Sequence, residues 1–147
     1  MVKVMATGVF DLLHMGHVHY LREAKAMGDE LVVVVATDET VRRRKHVPIT
    51  PQEMRRDLVE ALKPVDRAVV GRTGDPLAIV EELKPDVIAL GYDQRAEDLE
   101  KRLRERGITA RVVRCSPYTE HDLHGTRRII RKIEEKLQNN ELYVGDE

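Results

Sequence analysis

The chain has 147 residues, 25 basic against 26 acidic for a formal charge of −1, and 41% of its residues are hydrophobic. That length suits one domain with a real core, and the balanced charge gives no reason to expect nucleic acid as a partner. A single cysteine, Cys115, excludes an internal disulfide framework and a multi-cysteine zinc site. No stretch approaches the length of a membrane span and no signal-peptide pattern opens the chain, so the expectation is a cytoplasmic protein with no membrane partner.

Lys3 to Thr7 reads as a short apolar strand. His17 to Met27 has helical spacing, with Val18, Leu21 and Ala24 on one face and Gly28 as a stop. Leu31 to Ala36 is an unbroken, mostly β-branched run, which predicts a strand covered on both faces. A short helix follows, then the basic run Arg42 to Lys45. Thr50-Pro51-Gln52-Glu53 predicts a capping box with proline at the first helical position, opening a helix through Leu62. Arg67 to Val70 is a strand, and Asp75-Pro76 starts a helix to about Lys84. Val87 to Leu90 is a strand, Arg95 to Arg106 a charged helix, and Gly107 its stop. Thr109 to Val113 and Thr126 to Leu137 complete the set as strand and helix. Strands alternating with helices predict an α/β fold with a doubly wound, five-stranded parallel sheet. The expected organisation is one domain over residues 1–138 and a polar tail over 139–147.

The richest segment is Gly8-Val9-Phe10-Asp11-Leu12-Leu13-His14-Met15-Gly16-His17. It places two histidines and two glycines on one strand-to-helix turn. In open α/β sheets ligands bind beyond the carboxyl ends of the strands, where a helix N-terminus favours anions. Gly91-Tyr92-Asp93-Gln94 and the run from Cys115 to Thr126 follow other strands, so they reach the same sheet edge. Neither a Walker loop nor a GxGxxG fingerprint is present.

The histidine turn resembles the HxGH signature of the cytidylyltransferase-like nucleotidyltransferases, whose Rossmann-like fold has this order of elements. The resemblance implies a nucleotidyl transfer in which an acceptor phosphate attacks the α-phosphorus of a nucleoside triphosphate and pyrophosphate leaves. It implies that His14, His17 and Lys45 act in catalysis. It implies that Gly8, Val9, Phe10, His14, Met15, Gly16, His17, Asp93, Tyr118 and Thr126 bind nucleotide, Asp93 holding the nucleoside and Tyr118 lining the adenosine site. Thr126 matches one hydroxyl of the family's phosphate-binding segment, whose neighbouring positions are glycine and arginine here. A divalent cation, Mg²⁺, is implied with the triphosphate, without a protein metal site. His121, Asp122 and His124 lack a third strong ligand and read as loop residues. His19 and His46 read as surface histidines, Cys115 as a small buried side chain, and Arg55 and Arg56 as family arginines or exposed salt-bridge partners.

The later loops bear on the substrate. Tryptophan is absent, and Gly91-Tyr92-Asp93-Gln94 differs from the segment typical of glycerol-phosphate cytidylyltransferases. Leu90-Gly91-Tyr92-Asp93-Gln94 and the late Tyr118 resemble archaeal FAD synthases instead. The expectation is therefore an FMN adenylyltransferase that uses ATP and FMN and acts as a homodimer. A glycerol-3-phosphate cytidylyltransferase is the alternative enzyme, and a non-catalytic nucleotide-binding sensor the alternative of another class.

Overall fold

The structure, a computed structural model, describes residues 1–44, 47–142 and 145. Five strands form one parallel sheet in the order β3-β2-β1-β4-β5, made of β1 (Lys3–Gly8), β2 (Glu30–Val35), β3 (Arg67–Val70), β4 (Val87–Leu90) and β5 (Arg111–Arg114). Six helices connect and follow them: α1 (Met15–Ala26), α2 (Asp38–Arg43), α3 (Gln52–Glu60), α4 (Ala78–Leu83), α5 (Ala96–Glu105) and α6 (Thr126–Gln138). The doubly wound α/β expectation holds. No helix among the described residues is long and apolar enough to cross a membrane.

Both faces of the sheet are covered, as the apolar strands require. Leu31, Val33 and Val35 of β2 join Val4 and Ala6 of β1 under Leu21 and Ala24 of α1 and Val59 of α3. The alternate residues, Val32, Val34 and Met5, face Ile79, Val80 and Leu83 of α4 and Leu103 of α5. The period of two in a strand explains why a run without polar residues is needed. Because β1 is flanked by β2 and β4, the winding reverses beside it, and a crevice opens at its carboxyl end.

Three local expectations give way to tertiary contacts. Thr50 does not cap α3; its hydroxyl donates to Asp11 Oδ1 (2.8 Å), and Pro51 is the N-cap, with no side-chain bond. Asp75 instead accepts the Leu77 N–H (3.0 Å), so α4 starts at Ala78, after a turn. β5 runs one residue beyond Val113, because it pairs with β4 through Leu90↔Arg114. Leu21 is fully buried at the centre of the α1 contact. Leu21→Ala should cost about 2–5 kcal/mol, read as a lower midpoint in chemical unfolding with an unchanged slope.

Candidate active site

The β1–α1 turn is held in an unusual backbone. Phe10 and Leu12 both have positive φ (57° and 59°), which costs non-glycine residues on the order of 1–3 kcal/mol each unless the surroundings enforce it. Three ties enforce it here. Asp11 accepts the N–H groups of Ile49 (2.8 Å) and Thr50 (3.1 Å) as well as the Thr50 hydroxyl. Burial pushes the Asp11 carboxyl up, but these bonds and the Arg55 charge outweigh it and hold the group below its ordinary range. The Thr126 hydroxyl at the start of α6 donates to the Asp11 carbonyl (2.9 Å). Arg55, fully buried in α3, donates from Nη1 to the carbonyls of Val9 (2.7 Å) and Ala36 (2.9 Å). Its Nε reaches the Thr50 carbonyl (2.9 Å) and its Nη2 the Asp38 carboxylate (2.6 Å). One guanidinium thus ties the ends of β1 and β2 to the start of α3. Of the two readings of Arg55, burial among carbonyls rules out the exposed salt bridge, its ion pair with Asp38 being formed by a guanidinium with no exposed surface, whereas Arg56 pairs with Asp57 and Glu60 near the surface.

That turn delivers the histidines as a pair. His14 is the N-cap of α1, and its Nδ1 accepts the Gly16 N–H (3.1 Å). Nδ1 of His17 accepts the His14 N–H (3.2 Å), closing a capping box made of two imidazoles. The rings stack with centroids 3.8 Å apart. An Nδ1 that accepts leaves the proton on Nε2, so both rings are neutral and each keeps one N–H donor. Burial, then the nearby His124, lowers the His14 pKa; burial, then His14, lowers that of His17 to about 3. Two neutral donors at a helix N-terminus suit an anion and need no proton exchange to bind it.

A cavity of about 260 Å³ opens beside them, lined by His14, Gly16, His17, Asp93, Ser116, Tyr118 and His124, among others. Gly16 is required there, because a Cβ would lie 2.6 Å from the His124 carbonyl. Tyr118 is buried, and its hydroxyl has no hydrogen-bond partner. Tyr20 closes the floor at the winding reversal: its hydroxyl donates to the Ala89 carbonyl (2.7 Å) and accepts the Thr7 N–H (3.1 Å). A second, larger cavity of about 710 Å³ begins at Thr7 and Gly8 on the other side of the turn. Met5, Val34, Ile88 and Leu90 make an apolar floor, with Leu77 and Leu99 beside them and Arg43, Arg44, Arg72, Arg95 and Arg102 also in the lining.

The structure brings together His14, Gly16, His17, Asp93 and Tyr118 around the smaller cavity, and Gly8 borders the larger one. Thr126 reaches the turn through its bond to Asp11. Phe10 is buried against the rings of His17 and Tyr20, and the Val9 carbonyl is taken by Arg55, so both support the turn from behind. Met15 lies at the helix start with 39% of its surface exposed. Lys45 and His46 lie outside the described residues. Asp93 is not a helix N-cap, since α5 begins after Arg95. His19 is more than a surface group: its Nε2 meets Ser116 Oγ (3.1 Å) and Glu23 (3.3 Å), and Ser116 also bonds Glu23. Cys115 is buried, its thiol pushed up to about 12 by burial and the Glu23 carboxylate, which suits a packed side chain and not a nucleophile.

Residues 5–144 match the cytidylyltransferase-like family model. The chain belongs to the cytidylyltransferase-like family. It is 55% identical to an FAD synthase of Aciduliprofundum boonei over 99% of this chain and 98% of that one. An FAD synthase of Thermoplasma acidophilum is 50% identical over 93% and 97% of the two chains. Among solved structures, one titled a lipopolysaccharide core biosynthesis protein from Thermoplasma volcanium superposes with a TM-score of 0.79 at 51% identity. That match covers 81% of this chain and 99% of the other.

The low His17 pKa has a direct consequence for stability. Between about pH 6.5 and 3 the unfolded chain binds a proton at His17 that the folded chain refuses. The stabilisation is therefore complete above pH 6.5 and is lost on acidification through that window, by up to about 1.4 kcal/mol per pH unit. Unfolding free energies measured at pH 7 and pH 5 should show this slope, and His17→Gln should reduce it to the part that the lowered His14 contributes.

Proposed function

We propose that this protein is an FMN adenylyltransferase, joining FMN and ATP to give FAD and pyrophosphate. The observation that carries the reading is the 55% identity to an FAD synthase across nearly the whole of both chains. The two cavities support it from chemistry. ATP needs anion donors and a slot for its base, and the smaller cavity offers His14, His17, Asp93 and Tyr118. FMN is a flat, largely apolar ring system with an anionic tail, which matches an apolar floor and arginines in the larger cavity. Glycerol phosphate is small and polar throughout and would leave that floor unused, so the cytidylyltransferase alternative is not favoured.

In this reading the FMN phosphate approaches from the larger cavity, over Thr7 and Gly8, and the triphosphate lies along the start of α1. An FMN phosphate oxygen attacks the α-phosphorus; the new P–O bond forms as the bond to the β-phosphate breaks, and pyrophosphate leaves. Nε2–H of His14 and of His17 hydrogen-bonds the phosphate oxygens where negative charge grows, with the positive end of α1 behind them. Asp93 orients the ribose and Tyr118 the adenine. Lys45 completes the phosphate contacts, and Thr126 holds the turn by its bond to Asp11. No covalent intermediate is needed, so the work is alignment and charge stabilisation.

A divalent cation, Mg²⁺, belongs to the reading and would neutralise the departing pyrophosphate. Among the described residues no group of three or more His, Cys, Asp or Glu could hold a metal ion, and Asp93 is the one carboxylate lining the smaller cavity. That donor set fits a cation carried in on the triphosphate with most of its waters, as Mg²⁺ prefers. The remaining parts of the reading are a single catalytic domain over residues 1–138, a cytoplasmic setting and a homodimer.

Incubation with FMN, ATP and Mg²⁺ should give FAD by chromatography. CTP with glycerol 3-phosphate should give no CDP-glycerol, and the reverse outcome would promote the alternative. His14→Ala and His17→Ala should each lower kcat by on the order of 100-fold or more without unfolding the protein. Leu99→Trp, at a partly buried wall of the larger cavity, should raise KM for FMN at least about tenfold, the effect of roughly 1.4 kcal/mol, while KM for ATP holds.

A further inference from the structure

Two polar side chains of α1 stand just outside the smaller cavity. His19 and Glu23 are four residues apart on that helix and meet on one flank, Nε2 to Oε1 at 3.3 Å. Both reach Ser116, the second residue after β5. Glu23 takes the Ser116 N–H on one carboxylate oxygen (2.8 Å) and the Ser116 hydroxyl on the other. Burial pushes this carboxyl up, but the two Ser116 bonds and the nearby His19 outweigh it and hold the group below its ordinary range. An ionised carboxylate only accepts. The Ser116 hydroxyl therefore donates to Glu23, and Nε2–H of His19 (3.1 Å) donates to the hydroxyl oxygen.

Tyr118 follows two residues later, across Pro117. Proline fixes its own φ and confines the residue before it to extended backbone, so a hold on Ser116 carries through to Tyr118. The Tyr118 ring also packs against the His19 ring, with centroids 5.7 Å apart. Ser116 and Tyr118 both line the smaller cavity, whereas His19 and Glu23 do not border it.

We infer that His19 and Glu23 are positioning residues of the nucleotide side: through Ser116 they set the wall that carries Tyr118 against the helix that carries His14 and His17. The inference rests on reading the smaller cavity as the nucleotide side, and not on which base or acceptor is used. Helix α1 then serves as one rigid bracket. Its first turn presents the imidazole donors to phosphate, and the turns that follow fix where the base stands. A wall held before the ligand arrives needs less ordering on binding, so cutting the clamp weakens the grip on the base and leaves the grip on phosphate alone.

Binding calorimetry of the full chain with Mg²⁺ tests this, using ATP, CTP and, as a ligand with no base, pyrophosphate. Glu23→Ala should weaken ATP about tenfold while pyrophosphate stays within about twofold of the wild type. Glu23→Gln should recover most of the loss, because its amide can accept the Ser116 N–H and donate to the Ser116 hydroxyl. His19→Ala removes only one bond to Ser116 and should weaken ATP about threefold, which keeps the test open if Glu23→Ala fails to fold. An unchanged ATP affinity in both alanine variants overturns the inference. So does an equal loss for pyrophosphate, no recovery in Glu23→Gln, or a wild type that binds neither triphosphate. A wild type that binds CTP alone, with the same loss in Glu23→Ala, keeps the clamp and removes the adenylyl reading.

Discussion

Everything at this site depends on the backbone between Gly8 and His14. Two non-glycine residues there sit at positive φ. The turn keeps that shape because Arg55, with no exposed surface, offers its N–H groups to carbonyls from three segments at once. A buried arginine that lost these acceptors would cost several kcal/mol, so turn and arginine stabilise each other. The result is a rigid lead-in to α1, and rigidity at this point decides where two imidazoles stand.

The imidazoles are fixed in chemistry as well as in place. Their Nδ1 atoms are spent on the backbone N–H groups of His14 and Gly16, which would otherwise be unsatisfied at a helix start. The same bonds choose the tautomer, and ring stacking with partial burial keeps the charge off. The turn thus presents neutral, oriented donors, an arrangement that suits an anion and needs little solvent reorganisation. The turn also separates two cavities of very different size and lining, which is what a reaction between two unlike anionic substrates requires.

Much of this was legible in the chain itself. Alternating strands and helices gave the wound sheet, and the Leu31 to Ala36 run read correctly as a strand covered on both faces. That the histidine turn, Asp93 and Tyr118 would lie together was readable, because strand ends in a parallel sheet converge, and they line one cavity. What the sequence hid were contacts between distant residues. Thr50 has the pattern of a cap, yet Asp11, 39 residues earlier, competes for its hydroxyl and wins. Arg55 looks like any helix-surface arginine until Val9, Ala36 and Thr50 are seen to surround it. The available signal was the resemblance, which offered Arg55 as a family arginine beside the salt-bridge reading. The larger cavity had no motif at all, because an apolar floor is built from strand residues indistinguishable from core.

The central claim is that His14 and His17 are a preset pair of neutral Nε2–H donors. Nitrogen-15 NMR of the histidine side chains in the nucleotide-free protein tests it most directly. At pH 7 both rings should be neutral, with a protonated Nε2 and a bare Nδ1, and His17 should stay so on acidification to pH 5. Imidazolium signals from either ring at pH 7 or from His17 at pH 5, or a proton on Nδ1 of either ring, would contradict it.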